Sequence, residues 1–313
     1  MSKTKIPVPA VGVYAALATP RCPNSIDADA AAFLEYLDKV SSRGVDGFVL
    51  FGSTGEFVHF DAGERMRVVS LAVKRSRVPA LVNVSHSTLA GAIALMQQAV
   101  DAGAAGVFVM PPYFYRYADE EIARFYESFI EAAEGQVPVY LYSLPFFTNP
   151  LSGKVAERLL SSGAFAGIKD SSGDWESLES LRRVRDHHPF QLLVGNESVY
   201  LRGLLAGADG IVSGLAAGIP ELIVEIFRAV KASDIETAQA LASRMNELMA
   251  WIAKFPPTVA IKQIAETRGW LRADLANPMG PRATEDLKQF RTWIADWLPS
   301  TLSQCGDAAS VRT

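Results

Sequence analysis

The sequence predicts an α/β fold, a (β/α)8 TIM barrel carrying a C-terminal helical extension. Three observations predict it. Short apolar runs alternate with longer helical stretches from residue 13 to about residue 230, eight such runs can be counted, and strand signals stop after them. A doubly wound parallel sheet shares this local grammar; the strand count favours the barrel.

The expected strands are residues 13–19, 47–51, 80–84, 107–110, 139–142, 166–169, 191–194 and 210–213, each a short apolar run between glycine and proline punctuation. Between them, residues 27–42, 62–75, 89–102 and 119–133 have helical length and pattern, several opening on an aspartate or serine suited to capping the first free N–H groups. A weak internal repeat supports the alternation: the runs that begin at Gly44, Gly103, Gly163 and Gly207 each read as a helix C-cap glycine passing into a buried strand. Later, residues 233–254, 259–269 and 284–297 read as helices, the last preceded by the breaker-rich Asn277–Pro281 stretch. The expected organisation is a barrel over residues 1–230, a three-helix extension over 231–300 and a flexible tail over 301–313.

Composition narrows the function. About half of the 313 residues are hydrophobic and a fifth charged, as in an ordinary globular protein. Thirty basic residues against 34 acidic ones leave a net charge of −4, which offers no cationic field to a nucleic acid or an anionic membrane surface. Residues 1–9 are short and polar, with Pro7 and Pro9, and lack the apolar core of a secretory signal; no apolar run approaches the roughly 20 residues of a bilayer span. Two cysteines, Cys22 and Cys305, make no disulfide framework, and a reducing cytoplasm is the expected compartment. His59, His86, His187 and His188 show no zinc-type spacing, and no dinucleotide or P-loop pattern follows a strand, so neither a metal nor a cofactor is expected.

In a barrel, reactive groups belong at the C-terminal ends of strands. After the second strand, Gly52-Ser53-Thr54-Gly55-Glu56 lets backbone N–H groups approach an anion and adds two hydroxyl donors, although glycine-serine turns are commonly only turns. On the fifth strand, Tyr140 and Tyr142 share a face by the period of two, either as packing residues with locally satisfied hydroxyls or as functional phenols. The sixth strand ends in Lys169-Asp170-Ser171. A lysine closing an apolar strand suits an amine nucleophile, because burial disfavours the ammonium form; the competing reading is a salt bridge, for example with Asp170.

Taken in order and spacing, the turn Gly52–Glu56, the segment Tyr142-Ser143-Leu144-Pro145 and the run Gly167-Ile168-Lys169-Asp170 resemble the dihydrodipicolinate synthase and N-acetylneuraminate lyase family. Pro111–Phe114, Gly195-Asn196-Glu197 and the stretch from Lys262 to Gly269 extend the resemblance to roughly residues 8–298. The resemblance implies a metal-free class I lyase acting on a small 2-oxo acid such as pyruvate, usually a homotetramer built as a dimer of dimers. It implies that Lys169 forms the Schiff base, that Tyr142 shuttles protons, and that Ser53 and Thr54, with Gly52 and, on the eighth strand, Val212, bind the 2-oxo acid. Ser53 is also implied in the proton relay.

Departures from the family pattern bear on substrate. Dihydrodipicolinate synthases carry an arginine two residues after the proline of the tyrosine motif, where it pairs with a substrate carboxylate; here Pro145 is followed by Phe146, Phe147, Thr148 and Asn149. Phe147, Thr148 and Asn149 are therefore the expected specificity residues, the ring as an apolar wall and the polar pair as partners of substrate hydroxyls. Ser143 replaces the family's asparagine. Phe114 stands where many members have a second relay tyrosine, leaving Tyr113 or Tyr115 as its substitute. The leading expectation is aldol cleavage or dehydration of a 2-keto-3-deoxy sugar acid. The alternatives are dihydrodipicolinate synthesis from pyruvate and aspartate semialdehyde, with Arg116 supplying the missing cation, and a 2-oxo acid sensor without turnover.

Overall fold

The computed structural model describes residues 11–23 and 25–311. Residues 1–9, read above as lacking a secretory signal, lie outside the described residues, as do the last two of the tail. Among the described residues, eight parallel strands close into a barrel in chain order: β1 (Gly12–Ala16), β2 (Gly47–Leu50), β3 (Ala80–Asn83), β4 (Gly106–Val109), β5 (Val139–Ser143), β6 (Gly167–Asp170), β7 (Gln191–Val194) and β8 (Gly210–Ser213). The strands are buried throughout apart from the half-buried Gln191, which is why they read as unbroken apolar runs rather than alternating ones.

The intervening helices are α1 (Ala30–Ser41), α2 (Ala62–Arg75), α3 (Leu89–Ala102), α4 (Asp119–Ala133), α5 (Gly153–Ser161), α6 (Trp175–Arg185) and α7 (Tyr200–Leu205), and α8 (Pro220–Lys231) follows β8. Asp29, Asp61, Thr88, Ser152 and Asp174 cap α1, α2, α3, α5 and α6 by accepting backbone N–H groups of the first turn. The four repeat glycines, Gly44, Gly103, Gly163 and Gly207, all take left-handed φ values between 70° and 92°. Only a residue without Cβ turns from helix into strand this way at little cost. The first strand is shorter than expected. From Leu17 the chain leaves the strand, and the Thr19 hydroxyl is spent on the Gly55 carbonyl at 2.8 Å.

Contacts group the chain into two compact units. One is built on residues 79–212. In it Phe108 of β4 lies opposite Tyr140 of β5, and the Tyr126 hydroxyl of α4 donates to the Val109 carbonyl at 3.1 Å. The other holds residues 13–78 and those from 213 onward, including α9 (Ile235–Ile252), α10 (Pro257–Thr267) and α11 (Pro281–Val311). Here Tyr36 of α1 donates to the Ala217 carbonyl at 2.6 Å, and Arg268 makes a two-pronged pair with Glu221 of α8 at 2.6 and 2.8 Å.

Helix α11 corrects the expected tail: the helix predicted to end at residue 297 continues to Val311. Proline at 299 removes one N–H donor and crowds the carbonyl one turn back, yet the buried period carries on through Trp297, Leu298, Thr301 and Cys305. Arg244 of α9 donates to Thr301 Oγ1 at 2.8 and 3.1 Å. No helix of the described residues is long and apolar enough to cross a membrane.

Candidate active site

Strands β5 and β6 lie in register, with Tyr142 opposite Lys169 and Ser143 opposite Asp170. Tyr140 and Tyr142 share the face that the period of two assigned them, and both rings meet Phe108, with centroids 5.1 and 6.0 Å away. Tyr140 spends its hydroxyl on Gln191 Oε1 at 2.5 Å. Tyr142, 1% exposed, makes no hydrogen bond to another described residue through its hydroxyl, unlike a packing tyrosine satisfied locally. Lys169, 4% exposed, holds its Nζ 4.0 Å from the centre of the Tyr142 ring.

No carboxylate among the described residues lies within ion-pair distance of Lys169, so the salt bridge with Asp170 considered above does not form. Successive strand residues point to opposite faces. Asp170 instead accepts the Ser172 backbone N–H at 3.2 Å and the Ser172 hydroxyl at 2.8 Å. Burial holds its carboxyl above the ordinary carboxylate range, opposed by hydrogen bonds from Ser172, Ser143 and Ser177.

Two residues that the sequence reading did not single out as functional stand beside the lysine. A Cβ at Gly195 would come within 2.8 Å of Lys169 Cε and 2.1 Å of Ser171 Oγ, so only glycine leaves room for both side chains. The Ser171 hydroxyl is buried without a hydrogen-bond partner among the described residues. The signal for Ser171 was available: it follows the strand, two residues after Lys169.

The turn after β2 is bounded by two left-handed residues, Phe51 (φ 53°) and Glu56 (φ 55°). Gly52 is buried, while Ser53 and Thr54 are half-buried. The Glu56 N–H donates to the Ser53 carbonyl at 3.0 Å. Gly55 has no room for a side chain, since a Cβ there would sit 2.8 Å from Phe51 Cα. The Glu56 carboxylate is buried and paired with Lys262 of α10. Val212 is buried on β8 and offers no polar side chain.

The remaining expected residues lie on two loops. Phe114 adopts φ 81° and is 87% exposed, its ring edge-on to the exposed Tyr115 with centroids 5.1 Å apart; Tyr113 is half-buried and Arg116 exposed. Phe147 and its neighbour Phe146 are exposed as well. Thr148 and Asn149, expected as specificity residues, are both buried and hydrogen-bonded within the protein. The Thr148 hydroxyl donates at 3.0 Å to the Leu144 carbonyl, while Asn149 Nδ2 donates to the carbonyls of Pro112 (2.6 Å) and Tyr115 (2.8 Å), and its Oδ1 accepts the Tyr117 N–H at 3.0 Å. They stitch the two loops together, which leaves Phe147 of the expected trio facing solvent.

Residues 10–296 match the model of the dihydrodipicolinate synthetase family. The chain is 33% identical over 279 residues to a 4-hydroxy-tetrahydrodipicolinate synthase of Salinibacter ruber, covering 86% of this chain and 89% of the relative. It is 30% identical over 239 residues to a probable 2-dehydro-3-deoxy-D-pentonate aldolase of Escherichia coli, covering 74% and 79%. Among solved structures it superposes with a TM-score of 0.85 on a prophage protein of the dihydrodipicolinic acid synthase family from E. coli K12 in complex with pyruvate, at 25% identity and covering 92% of this chain and 98% of the other. Relatives named for two different reactions leave the substrate open, but the length of the match and the closed barrel with its buried strand lysine make the chain a member of the dihydrodipicolinate synthetase family of class I lyases.

Proposed function

We propose that the protein acts on a 2-oxo acid through an imine at Lys169, and that its substrate is a 2-keto-3-deoxy sugar acid, cleaved or dehydrated. The observation that carries this reading is the Lys169 amine: buried, free of carboxylate partners among the described residues and set against the Tyr142 ring.

The neutral amine adds to the C2 ketone, and loss of water from the adduct gives a protonated imine. That cation is an electron sink for the neighbouring carbon. In cleavage, the C4 hydroxyl gives up its proton and the C3–C4 bonding electrons flow toward the imine, leaving an enamine and an aldehyde. In dehydration, a C3 proton leaves first and the C4 hydroxyl departs as water. Either path needs a group that takes and returns protons, the role we assign to Tyr142. Ser53 and Thr54, with the backbone N–H groups of their turn, would take the substrate carboxylate. The Ser171 hydroxyl, which has no partner among the described residues, would be a further donor for a substrate oxygen.

Specificity is argued from Phe147, which occupies the position of the synthases' arginine. An exposed ring cannot replace a cation that forks onto a carboxylate. Aspartate semialdehyde with pyruvate is therefore expected to be a poor pair, and a hydroxylated 2-oxo acid a better substrate. The test is a panel of keto-deoxy acids with products identified by mass, alongside kcat/KM for the semialdehyde condensation on the same preparation. Pyruvate release from a panel member supports cleavage, and a product lighter by one water supports dehydration. Efficient condensation that is lost in Arg116→Ala would restore the synthase reading.

A further inference from the structure

Glu56 closes the turn that carries Ser53 and Thr54 with φ 55° and ψ 39°, a left-handed conformation that a glutamate keeps only when its surroundings impose it. The surroundings are unusual. Its carboxylate is buried and meets two side chains of one helix, α10: Lys262, which has no solvent exposure, donates to Oε2, and Thr258 donates to Oε1 at 3.2 Å. Lys262 also donates to the Asp274 carbonyl at 3.1 Å, and the Arg21 guanidinium lies 3.9 Å from Oε2 while resting over the Phe60 ring at 4.4 Å. His59 completes the group, with Nδ1 3.6 Å from Oε1. The turn is tied from the other side by the Thr19 hydroxyl on the Gly55 carbonyl.

We infer that Glu56 and Lys262 are positioning residues: through this pair, α10 holds Ser53, Thr54 and the backbone N–H groups between them in the arrangement that receives a substrate carboxylate. A buried ion pair rarely adds net stability over an apolar pair of the same volume, so its worth lies in what it orients. The pair acts through the turn and takes no part in bond making. The inference rests on the reading of this turn as the carboxylate subsite.

The test uses borohydride trapping of pyruvate and of pyruvamide, which has the same ketone and no carboxylate, on the full chain. Glu56→Gln, Lys262→Met and the near-isosteric Thr258→Val are compared with the parent. The parent is expected to trap pyruvate at far lower concentration than pyruvamide. In Glu56→Gln and Lys262→Met the half-saturating pyruvate concentration is expected to rise by about tenfold or more, the loss typical of a disturbed charged hydrogen bond, with a smaller rise in Thr258→Val. Pyruvamide should stay unchanged in all three, so that the preference for a carboxylate shrinks. A merely structural pair would lower stability and move both ligands alike. Should Lys262→Met fail to fold, Glu56→Gln and Thr258→Val decide the matter. Parental preference in those two variants overturns the inference. Absence of trapping in the parent is a separate outcome, which refutes the imine reading and removes the inference with it.

Discussion

At Tyr142 the phenol and the ring have separate duties. The ring packs against Phe108 and lies under Lys169 Nζ, while the hydroxyl bonds to no described residue. Tyr142→Phe therefore deletes the proposed proton carrier without stranding a buried partner, and turnover is expected to fall by roughly 10²–10⁴-fold while the unfolding transition barely moves. Measuring kcat and thermal unfolding on one preparation checks this. Unchanged turnover would return Tyr142 to a packing role. The shared face of Tyr140 and Tyr142 and the place of Lys169 at a strand end were legible because strand patterns are local rules. The partners of Thr148 and Asn149 were not legible: Asn149 bonds to carbonyls 34 and 37 residues away, which no local pattern reveals. Glu56 was named only as the end of a turn, since its partner Lys262 lies 206 residues on.

At the scale of elements, the eight strands and most helices could be read from short buried runs, capping residues and the four left-handed glycines. The end of α11 could not. Proline and a polar composition suggest a helix stop, yet contact with α9 carries the helix on to Val311. Thr301, fully buried in α11, accepts two hydrogen bonds from Arg244 of α9. Thr301→Val keeps the shape and strands those donors, so it is expected to lower stability by about 1–3 kcal/mol, read from the midpoint and slope of denaturant unfolding. Unaltered unfolding would mean that the end of α11 is held by apolar contacts alone.

Over the whole molecule, the sequence announced a parallel barrel because both faces of each strand are covered, and the structure closes that barrel in chain order. Less legible was which helices share a compact unit with which strands. The late helices α9–α11 group with residues 13–78, an association set by long-range pairs such as Tyr36 with Ala217 and Lys262 with Glu56. The barrel places a lysine at the carboxyl end of β6, buried and with no carboxylate of the described residues to hold it as a spectator ion, and the proposed chemistry depends on that amine. Borohydride reduction in the presence of pyruvate, followed by peptide mass analysis, interrogates it directly. An irreversible mass increase confined to the peptide containing Lys169, and absent from Lys169→Ala, is the predicted result. Labelling that persists in Lys169→Ala, or a parent protein that pyruvate and borohydride leave unmodified, would contradict it.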